Sequence, residues 1–224
     1  MMSQTLARTR ADYVATRTWS DMTDEELLAV YRQALSGGQA GTGRLAFAEL
    51  VRRYERELYS YLRRYLGDAV LAEDAFQATF LQVHLKCDQF EEGRKVRPWL
   101  YTIATNQAID SQRRNKRHRV MSLDRRNYQD DDQVGTLIDL LVSDEAGPEA
   151  RLESDERRDW VREAVSQLPP TLLAAVTLIY YQGMKYREAA EILDVPVGTV
   201  KSRLHAALLK LQEAWQQAQP SGET

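Results

Sequence analysis

Tyr186-Arg187-Glu188-Ala189-Ala190-Glu191-Ile192-Leu193, Asp194-Val195-Pro196-Val197 and Gly198-Thr199-Val200-Lys201-Ser202-Arg203-Leu204-His205 together decide how this chain folds. The first eight residues read as a short amphipathic helix, the next four break it, and Gly198 opens a longer one. Two helices joined by a tight turn, the second the longer, make a helix-turn-helix. At about 100° per residue, Val200, Leu204, Leu208 and Leu211 share one stripe that packs inward. Lys201, Ser202, His205 and Ala206 fall on the outward side, with Arg203 flanking them. Small polar and cationic side chains at a helix start suit a DNA major groove. Lysine donates to guanine acceptors, serine reaches several base edges, and alanine admits a thymine methyl. Thr199 and the free amides of the first turn suit a phosphate. The same spacing also fits an ordinary exposed helix, so the rest of the chain has to decide.

Around this motif, helices are expected over 157–167, 170–181 (after Pro169-Pro170), 186–193 and 197–217. Upstream lies a stretch of different composition. From Asp124 to Asp159 there are twelve acids against five bases, a net of −7, with Gly135, Gly147 and Pro148 among them. It reads as a flexible linker. Leu137 to Val142 is an apolar island inside it, fit for a short docked helix.

The N-terminal half has its own helical pattern. Thr23-Asp24-Glu25-Glu26 matches a capping box that starts a helix with Leu27, Leu28, Tyr31 and Leu35 on its apolar side. Ser36 to Gly43, rich in glycine, should break it. A longer helix follows, with Leu45, Ala48, Leu50, Val51, Tyr54, Leu58, Tyr61, Leu62 and Tyr65 inward, and Gly67-Asp68 stops it and starts the next. That next helix carries Ala72, Ala75, Phe76, Phe80, Val83 and His84. Cys87 to Lys95 read as a loop, and Pro98 fits the first turn of a helix running from Trp99 through Asp110 into Arg119. No segment alternates with period two. The expectation is an all-α chain of two small helical domains joined by a flexible acidic linker: an arm over 1–22, a bundle over 23–122, the linker over 123–156, the helix-turn-helix domain over 157–217 and a tail over 218–224.

The chain has 224 residues, enough for two small domains, and a hydrophobic content of 43%, enough for real cores. It contains no long apolar run of the kind that crosses a membrane, and the opening MMSQTLARTRADYVATRTWS lacks the apolar segment of a secretory signal. The single cysteine excludes an internal disulfide and fits a reducing compartment, so a cytoplasmic protein is expected. Catalysis finds few parts. His84 and Cys87 are two potential ligands, short of a zinc site. The sequence supplies no oriented base for a cysteine nucleophile, and Gly37-Gly38 follows a helix rather than a strand. The expectation is no enzyme, no metal, no cofactor and no small-molecule substrate.

Val197 to Leu204 after the Ala-Ala-Glu-Ile-Leu helix resembles region 4 of bacterial sigma factors, and Leu168-Pro169-Pro170 with the helix ending Leu178-Ile179-Tyr180-Tyr181-Gln182-Gly183 resembles the start of that region. Independently, Ala46-Phe47 with Leu50, Ala72-Glu73-Asp74 with Gln77 and Phe80-Leu81, and Trp99 to Ala104 with Asn106 and Asp110 resemble region 2. The two patterns occur in the family's order over roughly residues 23–215, without the extra domains of housekeeping sigma factors, so the chain resembles the extracytoplasmic-function (ECF) class.

The resemblance implies a protein that binds core RNA polymerase and directs initiation by recognising the −10 and −35 promoter elements and helping to melt the first. It implies that Glu73, Asp74, Gln77, Phe80 and Leu81 grip the polymerase clamp. Asn106, with the cationic end Arg113, Arg114, Lys116, Arg117 and Arg119, would serve the −10 element, where salt-sensitive phosphate binding is expected. Thr199, Lys201, Ser202, Arg203, His205 and Ala206 would serve the −35 element. The loop 87–97 corresponds to a base-capture loop, with no residue carried over, and Trp99, beside Leu100 and Ile103, reads as core. An anti-sigma protein is the further partner implied. The rival reading is a stand-alone helix-turn-helix regulator, which would not need the Ala72–Leu81 and Trp99–Arg119 helices in this order. The net charge of −3 does not oppose DNA binding. Residues 111–119 carry five Lys/Arg and no acid, and the acidic linker cancels them only in the sum.

Overall fold

The computed structural model describes residues 18–118 and 151–218, including the side chains of all but 116–118 and 151–158. Eight α-helices and no strand occur among the described residues. The N-terminal unit consists of α1 (Asp24–Ser36), α2 (Ala40–Leu66), α3 (Ala69–Lys86) and α4 (Val96–His118). The C-terminal unit consists of α5 (Arg151–Ser166), α6 (Pro170–Val176, continued by a π-wound turn Thr177–Tyr181), α7 (Tyr186–Leu193) and α8 (Val197–Ala218).

Local chemistry sets most boundaries. Glu26 N–H donates to Thr23 Oγ1 at 3.2 Å while Thr23 N–H donates to Glu26 Oε2 at 2.7 Å, so the capping box closes both ways. Gly67 ends α2 in the left-handed conformation (φ 71°), and the Asp68 carboxylate accepts from Leu71 N–H at 2.9 Å to start α3.

Three boundaries and two side-chain positions differ from expectation. The break after α1 is only Gly37-Gly38-Gln39, and Gly41 and Gly43 are helical. A Cβ on Gly43 would stand 3.0 Å from Ala34 Cβ, so this glycine lets α2 approach α1 closely. The α5 helix starts at Arg151, so residues 151–156 are helical rather than linker. The helix expected over 170–181 is α-helical only to Val176. The Thr177 hydroxyl donates to Leu173 O at 2.7 Å and Gln182 N–H reaches Thr177 O at 3.0 Å, one residue beyond the α spacing. Leu35 and Leu45, expected inward, are 45% and 56% exposed. Leu35 stands in the last turn of α1, and Leu45 lies about 200° around α2 from buried Gly43. Residues 119–150, with the island Leu137 to Val142, lie outside the described residues.

The N-terminal core gathers Leu27, Leu28, Leu50, Leu58, Leu62, Val83 and Leu100 with the tyrosines Tyr61 and Tyr101, all at most 1% exposed. Its hydroxyls are paired inside. Thr105 spends its single proton on Tyr101 O (2.7 Å), so in the 2.7 Å contact between Tyr61 and Thr105 the tyrosine donates. Burial pushes the Tyr61 hydroxyl well above its ordinary pKa, so it stays a donor at any physiological pH. The C-terminal core is aliphatic, with Leu172, Leu173, Val176, Leu178, Ile192, Val200, Leu204 and Leu211. The two units touch: α7 packs on α4, and α6 with its π turn on α2.

Candidate protein and nucleic-acid interfaces

Along α3, residues four apart make a row on one face. Glu73, Gln77, Leu81 and Leu85 form such a row, and all four are exposed, as is Asp74 beside Glu73. Gln77 Nε2 donates to Glu73 Oε1 at 2.9 Å, which orients both polar heads at the start of the strip. Leu81 and Leu85, 57% and 61% exposed, extend it as an apolar continuation. Leu85 was not picked from the sequence, although its spacing from Leu81 is the signal that finds it. Phe80 departs from the expected set. It is 7% exposed and packs edge-on against Phe47 and Phe76, with centroids 6.0 and 5.1 Å away. One residue turns a helix by about 100°, so Phe80 faces the core where Leu81 faces out. Its part is to set the α3 face from behind.

Glu25 of α1 helps fix the start of α4, its Oε1 accepting from Val96 N–H at 3.1 Å. The helix is buried along Val96, Leu100, Tyr101, Ile103, Ala104 and Ala108, and Asn106, Arg113 and Arg114 stand exposed on its far side. Asn106 and Arg113, seven residues apart, lie on the same face within about 20°. Arg113 stands 3.8 Å from Asp110, an exposed pair that leaves its charge free to be shared. Lys116 and Arg117 fall in the last turn, where the side chains are not described, and Arg119 lies outside the described residues. Trp99 is half-buried against Phe90, their rings edge to face at 5.1 Å, as a core residue should be. The Phe90 carbonyl accepts from Arg32 Nη1 at 3.2 Å, anchoring the start of a loop whose residues 91–95 are exposed.

On α8, Lys201 and Ser202 are exposed, Thr199 half-buried. Thr199 N–H is taken by Pro196 O at 2.9 Å, and the Ser202 hydroxyl turns back onto Thr199 O at 3.0 Å. Lys201 Nζ lies 5.9 Å from the Tyr186 ring centroid. The outward face is narrower than the wheel suggests. His205 and Ala206 are half-buried, Ala206 packing against the core, because α6 and α7 wrap further round α8 than a single stripe requires. Arg203 is half-buried too. Burial raises the Tyr65 hydroxyl pKa, and the Arg203 charge offsets part of that rise.

A fourth constellation had no sequence signal. Arg97 Nη2 donates to Gln182 O at 2.9 Å and its Nε to Glu57 Oε1 at 3.3 Å, while the Tyr101 hydroxyl donates to Gln182 Oε1 at 2.8 Å. These residues are up to 125 positions apart in sequence (Glu57 to Gln182), and no local pattern links them. Among the described residues no cluster of His, Cys, Asp and Glu could hold a metal ion. His84 Nδ1 is bonded to the Tyr31 hydroxyl at 2.5 Å, and Cys87 is buried with its thiol on His84 O. No described helix is long and apolar enough to cross a membrane.

Residues 50–118 match the family model of Sigma-70 region 2, and residues 158–211 match that of Sigma-70 region 4. The chain belongs to the sigma-70 family. Within it, the chain is 34% identical over 164 residues to the ECF RNA polymerase sigma factor SigW of Bacillus subtilis, covering 71% of this chain and 83% of that one. It is 33% identical over 168 residues to the ECF RNA polymerase sigma-E factor of Escherichia coli K12, covering 72% and 82%. In fold it is similar to CnrH, solved with the cytosolic domain of CnrY (TM-score 0.56, 24% identity, 88% of this chain and 99% of that one). The sigma factor RpoE of Bartonella quintana, solved with the anti-sigma factor NepR, is similar too (TM-score 0.55, 23% identity, 77% and 98%). The protein is an ECF sigma factor, which works with core RNA polymerase to direct transcription initiation at promoters.

Proposed function

We propose a division of labour among three faces. The α3 strip of Glu73, Asp74, Gln77 and Leu81 docks on the clamp coiled coil of core polymerase, with Leu85 extending the contact. The far side of α4 serves the −10 element: Asn106 bonds a base edge, and Arg113, Arg114, Lys116, Arg117 and Arg119 hold phosphates. Unstacking an extruded base costs a few kcal/mol, which a receiving pocket offsets. Lys201 and Ser202 of α8 read the −35 element, the Thr199 side chain and the N-terminal end of α8 bind phosphate, and Arg203, His205 and Ala206 flank that contact.

The observation that carries this reading is the alternation of burial on α3 and α4. Glu73, Asp74, Gln77, Leu81, Asn106, Arg113 and Arg114 are exposed, while Phe80, Leu100 and Ala104 between them build the core. The test is reconstituted transcription with purified core enzyme. Promoter-dependent transcripts are expected with the natural chain, and Asp74→Arg should abolish them by failing to bind core while keeping its helical content. Core binding by Asp74→Arg at the natural affinity would reject the α3 assignment.

The same reading makes the protein cytoplasmic and non-catalytic, with the polymerase supplying the chemistry. An anti-sigma protein is the proposed regulator, as the Bartonella RpoE was solved with the anti-sigma factor NepR. Co-purification of a tagged chain from uninduced cells should recover that partner.

A further inference from the structure

The Arg97, Tyr101 and Gln182 constellation is used by none of the three faces, yet it is a buried polar contact between the units. Tyr101 is fully buried, Gln182 is 9% exposed and Met184 beside it 4%. The turn Gln182-Gly183-Met184 is held in shape by Gly183 at φ 62° and by Met184 N–H on Leu178 O at 3.0 Å. It presents one backbone carbonyl and one side-chain amide oxygen to two donors of α4, and Arg97 is in turn held by Glu57 of α2. Beside it, the Arg64 guanidinium of α2 lies 4.3 Å from the Tyr181 ring centroid. Further along, α7 covers part of α4.

This seating opposes promoter binding geometrically. Elements named for positions 25 base pairs apart are separated by about 85 Å of duplex at about 3.4 Å per base pair. Two units in direct contact cannot occupy both. The 32 residues 119–150 between them could span about 100 Å at about 3.3 Å each. The chain is therefore long enough for the units to part. The α3 strip, by contrast, stays exposed while the units are together.

We infer that the Gln182 turn is a latch: seated on Arg97 and Tyr101, it holds the free protein in a closed form that can dock on polymerase through α3 but cannot engage both promoter elements. Opening removes Gln182 from Tyr101 and frees α7 from the N-terminal unit. The functional half of this inference rests on the proposed roles of α4 and α8; the latch itself does not.

The test uses the full chain with spin labels on cysteines introduced at exposed Glu92 and Glu191, since the one natural cysteine is buried. The natural latch should give a single short-distance population. Gln182→Ala, and independently Tyr101→Phe, should lower the ratio of closed to open forms about tenfold, in line with losing one hydrogen bond to a buried group. Helical content and the melting profile check that each variant is folded, and Tyr101→Phe is the milder of the two. A broad, long distance distribution in the unsubstituted labelled chain, or distances unmoved in both variants, would overturn the latch. Free-protein affinity for a promoter duplex should rise severalfold in Gln182→Ala. Opened distances with unchanged affinity would overturn the masking role and leave the latch standing. A failure of the sigma-factor assignments would appear separately, as lost core-dependent transcription with the distance result intact.

Discussion

The two units solve the problem of a small core differently. The N-terminal unit packs tyrosines across four helices and pairs their hydroxyls inside: Tyr61 with Thr105, Tyr54 with Asp24, and Tyr101 with Gln182 of the other unit. The C-terminal unit, 68 residues from Arg151 to Ala218, relies on leucine, valine and alanine. A unit of that size buries only about 60% of the surface its unfolded chain exposes, so its margin is thin. Aliphatic side chains carry no partner requirement, and they leave the outward face of α8 free for polar readers. Buried hydroxyls do carry one, and they fix helix positions more narrowly. The difference suits the tasks. The N-terminal unit must hold two working faces in one geometry, whereas the C-terminal unit presents a single helix.

The contrast can be broken most forcefully at Phe80. Phe80→Ala should cost the N-terminal unit about 3–5 kcal/mol, measured by denaturant titration, and weaken core binding through a displaced α3 face. A loss of core affinity without loss of stability would mean that Phe80 touches the polymerase directly. In the C-terminal unit, Leu204→Ala should cost about 2–5 kcal/mol, with the smaller end expected if its aliphatic neighbours close the gap. The two reading helices should differ in kind. Lys201→Ala is expected to lose about 1–3 kcal/mol of discrimination at one base pair of the −35 element. Arg113→Ala should weaken binding evenly across sequences and reduce the salt slope by about one. Binding assays over a salt series with matched and substituted promoters separate these outcomes.

The smallest effect tests the rim of the N-terminal unit. Hydrogen bonds from Arg52, and then Arg53, hold the Glu49 carboxyl at a pKa of about 2, below its ordinary 4.5. A carboxylate depressed in the folded state stabilises above its unfolded pKa, and that contribution is lost as pH falls from about 4.5 toward 2. Arg52 is well exposed, so Glu49→Gln should cost only about 0.5 kcal/mol at neutral pH and flatten the acid limb of a stability profile slightly.

Local patterns were enough for much of this molecule. The capping box at Thr23, the Gly67-Asp68 stop and restart, and the bounds of α7 depend on hydrogen bonds within a few residues, so the chain reads them out directly. The stripe of Val200, Leu204, Leu208 and Leu211 is likewise set by the helical period. Gly43 was misread as a breaker because glycine's low helix propensity is visible in sequence, whereas its value against Ala34 exists only when α1 and α2 meet. Phe80 and Leu81 are neighbours of similar apolarity, and only the position of Phe47 decides which one is buried.

By itself, then, the sequence determined two helical units, their order, the family they belong to and the helices that carry the working residues, because periodicity, caps and charge segregation are local. Tertiary structure alone decided which side chains on those helices remain available, how Ala206 and Arg203 are drawn inward, and that Gln182 meets Tyr101. Those outcomes depend on contacts between residues far apart in the chain, and no spacing along the sequence encodes which hydroxyl finds which acceptor.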